Sequence, residues 1–325
     1  MSTMRTSVGY RLPILPREFQ PFLDSCPALS AIGDTPLVRI DLEQLQKPGV
    51  EVYAKMEYFN PGGSIKDRPV MWMLLNAIIR GTLQPEMTVL DSSSGNAGIA
   101  YAMIGGALGY KVKLVIPGNA SEERKKRLVA HGAQLHYTDP VEGYDEALRE
   151  VRRQAESAPE KYFFSDQYSN DDNWSAHYHM TAQEILDQTD RKVTHFVCGV
   201  GTGGTVTGVG RRLKKELPHV EVTCIIPEVF PGIEGLKPLG DPDDIVPEIL
   251  DESVIDHKVS VSIDQAYEYC QQLAKKGFFV GQSSGGYLKG VESVVSRIDE
   301  GVIVTMFNDF GERYFSTGLW GHGSE

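Results

Sequence analysis

Cysteine is scarce in this chain of 325 residues: Cys26, Cys198, Cys224 and Cys270 are all there are, and no two form a Cys-x-x-Cys pair. A disulfide framework and a cysteine-based zinc site are thereby excluded as sources of stability. Cys198 and Cys224 sit inside apolar runs and read as small hydrophobes. Positive charge is also short, since 32 Lys and Arg face 44 Asp and Glu, for a net charge of −12. That balance argues against nucleic acid or an anionic membrane surface as partner, while leaving room for a local positive pocket that takes a small anion. Long hydrophobic runs are missing too. The first twenty residues carry Arg5, Arg11 and Arg17 but no continuous apolar segment, so neither a signal peptide nor a membrane span is expected. A reducing cytoplasm is the expected compartment, where the sequon Asn119-Ala120-Ser121 has no meaning. Fixed-period repeats and low-complexity tracts are absent as well.

What the chain does have is 41% hydrophobic residues in short runs that alternate with helical periodicity. Strands are expected at 50–55, 87–91, 111–116, 195–200, 221–226, 278–281 and 301–307. Helices are expected at 98–109, 121–131, 144–155, 173–188, 205–217 and 263–276. Such alternation predicts an α/β fold with largely parallel sheets, and the length suggests two domains. We expect a smaller substrate-loop domain over 60–170, a larger cofactor-phosphate domain over 38–59 plus 171–325, and an N-terminal segment over 1–37. Residues 122–127 mix charges at helical spacing and read as a solvated helix face. Residues 231–247, rich in Gly, Pro and Asp, read as a long loop.

One lysine stands out. The run Asn60-Pro61-Gly62-Gly63-Ser64-Ile65-Lys66-Asp67-Arg68-Pro69 links a strand pattern to a helix pattern and delivers Lys66 to a helix start. Partial positive charge there disfavours an ammonium, which biases the amine toward its neutral, nucleophilic form. Three small-residue loops accompany it. Gly199-Val200-Gly201-Thr202-Gly203-Gly204-Thr205 follows a strand and opens a helix, as a phosphate cradle does. Ser92-Ser93-Ser94-Gly95-Asn96-Ala97-Gly98 supplies hydroxyls, an amide and backbone N–H groups suited to a carboxylate. Gly281-Gln282-Ser283-Ser284-Gly285-Gly286 is expected to follow the strand at 278–281. Ligands of parallel sheets bind at the carboxyl ends of strands, so the three loops could share one crevice. Gly199, Gly201 and Gly204 also satisfy Gly-x-Gly-x-x-Gly, with Glu228 beyond the next strand, so a nicotinamide-dependent dehydrogenase is a rival reading. His177 and His179, two apart on a helix pattern, do not share a face and read as structural rather than metal-binding.

Taken together and in order, these motifs resemble the pyridoxal-phosphate enzymes of the tryptophan-synthase-β-like fold type II, and within them the cysteine synthase (O-acetylserine sulfhydrylase) family. The resemblance runs over about 33–320, through Gly33-Asp34-Thr35-Pro36-Leu37-Val38, the lysine run, Ser93–Gly98, Asp166-Gln167-Tyr168, Gly201–Thr205, Gly281–Gly285 and Tyr314-Phe315-Ser316-Thr317-Gly318. It implies two three-layer αβα domains and a homodimer. It also implies that Lys66 bonds pyridoxal 5'-phosphate and shuttles protons. Gly201, Thr202, Gly203, Gly204 and Thr205 would cradle the cofactor phosphate, Asn96 would meet its phenolic oxygen, and Ser283 would face its pyridine nitrogen. The carboxylate of the amino-acid substrate would lie against Ser93, Ser94, Gly95, Asn96 and Gln167. The implied reaction is β-replacement on an O-activated L-serine, through an α-aminoacrylate, with sulfide giving L-cysteine.

Two departures bear on substrate. The family's substrate loop usually reads Thr-Ser-Gly-Asn-Thr. Here Ser93 and Ala97 replace the threonines, and Ala97 removes a hydroxyl, which also raises the option of a binding protein without turnover. Phosphoserine-using relatives carry an arginine in the loop after the Glu228 strand. Residues 228–237 have none, although Lys237 could substitute, so O-acetylserine is expected over O-phosphoserine. The segment Asn173–His179 is similar to relatives that join O-phosphoserine to glutamate, which keeps an amine nucleophile as an alternative to sulfide.

Overall fold

A computed structural model describes residues 15–239 and 246–321. Its frame is two sheets. The larger contains β1 (Leu37–Arg39), β2 (Val50–Met56), β7 (His195–Gly199), β8 (Glu221–Pro227), β9 (His257–Val261) and β10 (Gly301–Phe307), in the order β1-β2-β10-β7-β8-β9. Only β1 runs antiparallel to its neighbour. The smaller holds β3 (Thr88–Asp91), β4 (Lys111–Pro117), β5 (Gln134–Thr138) and β6 (Tyr162–Phe164), all parallel, in the order β5-β4-β3-β6. Helices cover both faces of each sheet, so both units are αβα sandwiches.

The sequence explains the layering. Every residue of β3 and of β7 is buried, as strands covered on both faces must be. Alternation then divides the side chains. Val89 and Leu114 join Trp72, Tyr101 and Ile104 on one face, whereas Leu90 and Val115 meet Ala147 and Val151 of the Gly143–Ser157 helix on the other. Phe19, Leu29 and Ile32 from the N-terminal helical turns enter the first of these cores. A separate core surrounds the larger sheet, with Val52, Phe196, Val209, Leu288 and Val304 among its members. Among the described residues no helix is long and apolar enough to cross a membrane.

Several expectations change. No strand forms at 278–281. Val280 makes only an isolated bridge to Phe310, because β10 is already flanked by β2 and β7. The aromatic residues pack by their side chains instead, with Phe279 stacked on Trp320 at 4.3 Å. The third small-residue loop is also helical: the Gln282–Arg297 helix begins one residue after Gly281. The helix expected at 173–188 is interrupted, running Asp171–Ala176, then a π turn over His177–Thr181, then Ala182–Gln188. Strands β5 and β9 leave no apolar run in the sequence because exposed residues interrupt them, and β6 spans three residues. Of the long loop expected at 231–247, residues 240–245 lie outside the described residues, and 231–239 form neither helix nor strand.

Candidate active site

Lys66 is the N-cap of the Asp67–Ile79 helix. The loop before it is laid against the segment that leaves β10. Ser64 bridges to Asp309, and Ile65 N donates to Asn308 O at 2.9 Å. Two residues beyond, Arg68 is fully buried and forks between two carboxylates. Its Nε and Nη2 reach Glu57 at 2.6 and 2.8 Å, and its Nη1 and Nη2 reach Glu184 at 2.6 and 2.8 Å. Lys55 Nζ adds a contact to Glu184 at 2.6 Å. This charge cluster pins the start of the lysine helix to β2 and to the Ala182–Gln188 helix. The Lys66 amine loses affinity for its proton chiefly through burial, with Asp309 opposing in part. The sequence pointed to the right direction, but burial rather than the helix end is the main cause.

The amine opens into a cavity of about 430 Å³. Its wall brings together Lys66, Ser93, Ser94, Gly95, Asn96, Gln167, Gly201, Thr202 and Ser283, residues that span most of the chain. Gly203, Gly204 and Thr205 are not part of that wall but follow it directly, at the turn into the next helix. The serine loop leaves the carboxyl end of β3, where Asp91 Oδ1 accepts from Ser93 N at 3.1 Å and from Gln167 Nε2 at 3.4 Å. Ser93 Oγ in turn accepts from Gly95 N at 3.3 Å. A side chain on Gly98 would meet Ser93 O at 1.9 Å, so this tight turn onto the Asn96–Ala107 helix requires glycine.

The second glycine loop leaves β7 and starts the Gly204–Glu216 helix. Asn173 braces it from the Asp171–Ala176 helix, its Nδ2 donating to Gln167 O at 2.7 Å and to Thr202 Oγ1 at 3.0 Å. A Cβ on Gly204 would stand 2.0 Å from Asn173 Oδ1. Thr205 Oγ1 lies 3.4 Å from His177 Nε2. His177 is buried, and burial foremost, with Lys66 adding repulsion, lowers its pKa well below the usual imidazole range. His179 stacks on Trp72 at 5.5 Å.

Other wall residues were harder to read from sequence. Asn308 Nδ2 donates to Ser283 Oγ and to Tyr287 OH, each at 3.0 Å, which orients the Ser283 hydroxyl in the first turn of its helix. Asn96 is tied at both ends, donating from Nδ2 to Asp309 Oδ2 at 2.7 Å and accepting from Arg313 Nη1. One N–H of its amide is left for a ligand. Arg124 corrects the reading of 122–127 as a solvated face. It reaches into the cavity wall, and Leu128 of the same helix is buried. Spacings of three and four that link Arg124, Arg127 and Leu128 were the available signal.

These features fit pyridoxal phosphate. An amine with weakened proton affinity lies in a partly apolar cavity, backbone N–H groups at a 13-residue helix start suit a phosphate, and the Ser283 hydroxyl, held by Asn308, lines the same cavity. Asn308 Oδ1 is buried without a hydrogen-bond partner among the described residues, a polar atom left for a bound group. The profile of the pyridoxal-phosphate dependent enzyme family matches residues 28–309. A cysteine synthase from Aquifex aeolicus is 47% identical over 300 residues, covering 90% of this chain and 91% of that protein. The crystal structure of O-acetyl serine sulfhydrylase isoform 3 from Entamoeba histolytica superposes with a TM-score of 0.85 at 32% identity, covering 92% of each chain. That of an O-ureido-L-serine synthase superposes with a TM-score of 0.84 at 36% identity, covering 92% of this chain and 96% of the other.

Proposed function

Since the chain belongs to the pyridoxal-phosphate dependent enzymes, as a member of the cysteine synthase type, we propose that it carries out β-replacement on an O-activated L-serine with hydrosulfide, giving L-cysteine. The observation that carries this reading is the Lys66 amine, its proton affinity lowered by burial, in one cavity with the Ser93–Asn96 loop, Gln167 and Ser283.

Lys66 would hold the cofactor, Gly201–Thr205 its phosphate, and Ser283 and Asn96 its ring substituents. Pyridoxal phosphate supplies an electron sink next to the substrate's α-carbon when bound. The protein's own groups do the rest. Hydroxyls of Ser93 and Ser94, backbone N–H groups of the loop and the Gln167 amide bind the substrate carboxylate. Lys66 takes the α-proton, and the Cβ–O bond breaks with its electron pair leaving on the activating group. Hydrosulfide then forms the Cβ–S bond, and Lys66 returns a proton to the α-carbon. Asp91, beneath the serine loop, keeps the carboxylate site in shape.

The dinucleotide reading finds no support here, because Glu228 is exposed and does not line the cavity. The absence of arginine from residues 228–237 favours O-acetylserine over O-phosphoserine, while Arg124 brings a guanidinium to the cavity from another element. The test is spectroscopic: the purified protein with pyridoxal phosphate should show a visible band that O-acetylserine or O-phosphoserine shifts and sulfide restores. Tight NADH binding without such a band would remove the reading.

A further inference from the structure

One hydroxyl of the cavity wall has its direction decided by a residue that the reaction described above leaves without a task. Ser283 and Tyr287 lie four positions apart on the Gln282–Arg297 helix and so share a face. Asn308, the residue after β10, spans the two. Its side chain is buried, and its Nδ2 donates to Ser283 Oγ and to Tyr287 OH, each at 3.0 Å. The backbone holds Asn308 in this place from both sides. Its N–H donates to Ser284 Oγ at 3.0 Å, and its carbonyl accepts from the N–H of Ile65, the residue before Lys66, at 2.9 Å.

Counting hydrogens then fixes what Ser283 can do. A side-chain amide has two N–H donors, and both are spent, one on each hydroxyl. This orientation leaves only Asn308 Oδ1 unpartnered among the described residues, and a buried carbonyl oxygen tolerates that better than a buried N–H does. Ser283 Oγ therefore accepts from Asn308, and the serine's own hydrogen must point elsewhere. Among the described residues the Ser283 hydroxyl has Asn308 as its partner and no acceptor for that hydrogen. Ser283 lines the cavity, so the hydrogen is offered to whatever the cavity holds.

We propose that Asn308 is a positioning residue: by donating to Ser283 Oγ it turns the Ser283 hydrogen into the cavity, as a donor to the unprotonated ring nitrogen of pyridoxal phosphate. This rests on the cofactor placement proposed above and adds to it a direction and the group that sets it. A protonated ring nitrogen would have to donate to Oγ, and the Ser283 hydrogen would then be left without an acceptor. The amide thus selects between two states of the ring from a residue that follows another strand.

The experiment reads the NMR signal of cofactor isotopically labelled at its ring nitrogen, together with the cofactor Kd, in the holoenzymes of wild type, Ser283→Ala, Asn308→Asp and the double variant. Asn308→Asp sets an acceptor where the donor stood, so the Ser283 hydrogen should turn away from the ring. Each single substitution should move the signal downfield, as for a ring nitrogen that loses a hydrogen bond, and weaken Kd by about two- to tenfold, the range of one such bond. In the double variant Asn308→Asp should add nothing to the shift of Ser283→Ala, because the hydroxyl it acts through is gone. An unmoved signal in Asn308→Asp, or a shift of the same size with and without the Ser283 hydroxyl, overturns the proposal. Should Asn308→Asp fail to fold, neutron diffraction from crystals of the wild-type holoenzyme decides: the Ser283 deuteron should lie toward the ring nitrogen, and a deuteron directed at Asn308 overturns the proposal. If wild type forms no visible band with pyridoxal phosphate, the cofactor placement proposed above has failed instead.

Discussion

Lys66 is a lysine whose surroundings work against its charge, since burial lowers its proton affinity while the single carboxylate noted beside it, Asp309, restores only part. An amine so placed gives up its proton more readily than an exposed lysine, as a general base requires. Lys66→Ala should abolish the visible cofactor band and lower turnover by about 100- to 10,000-fold, the range of a lost general base; a retained band would show that another amine holds the cofactor. Ala97 makes the opposite point. It is 4% exposed, stands in the first turn of its helix and lines the cavity, so the missing hydroxyl belongs to the site. Ala97→Thr should lower the KM for the O-activated serine by about two- to tenfold, as for one added hydrogen bond. An unchanged or higher KM would place the substrate carboxylate away from position 97.

Among the elements, the junctions carry more meaning than the helices and strands they join. The turn from β7 into the Gly204–Glu216 helix depends on Asn173, which fills the space a Gly204 side chain would need. Gly204→Ala should therefore destabilise by about 1–3 kcal/mol through overpacking and weaken cofactor binding together with it, because Asn173 also holds Thr202 and the Gln167 carbonyl. Denaturant midpoints and cofactor dissociation, measured side by side, check both. The junction at Arg68 is electrostatic. With Arg68, Lys55, Glu57 and Glu184 all buried, removing one partner strands its counter-charges. Glu184→Gln should cost about 3–5 kcal/mol on that ground, read as a lower denaturant midpoint. A loss under about 1 kcal/mol, the level of exposed pairs, would mean that water enters the cluster.

For the whole molecule these buried carboxyls set the pH range of stability. Burial by itself would raise the Glu184 pKa, but Arg68 and Lys55 outweigh it and hold the group at about 2 against a usual 4.5. Its contribution is complete above 4.5 and is lost as pH falls toward 2. Asp67 behaves in the reverse sense. Burial pushes it up to about 7 from 3.8, and Asp91 likewise to about 7. Their protonated forms favour the fold, so that contribution is present below 3.8 and is lost as pH rises through 7. Stability should therefore peak between these limits, and Asp67→Asn should reduce the fall seen between about pH 4 and 7. A fall of equal size in that variant would assign it to other groups.

Much of this was legible in the residues themselves. Short apolar runs separated by helical periods determined the α/β class, and strands such as Gly301–Phe307 and Lys111–Pro117 were visible because both faces of a parallel strand are apolar. The lysine run and the two true loops were legible for the same kind of local reason: a turn onto a helix that must approach an anion restricts which residues fit. The tertiary structure decided what local chemistry cannot express. It turned residues 278–281 away from the sheet, since β10 had no free edge, and started a helix where a third loop was expected. It placed Asn308 against Ser283 and turned Arg124 from an apparently solvated helix face into the cavity beside Glu234. Such contacts join residues tens to hundreds of positions apart. Their energies depend on burial and on which charge stands opposite, and the packing of the two sheets determines both.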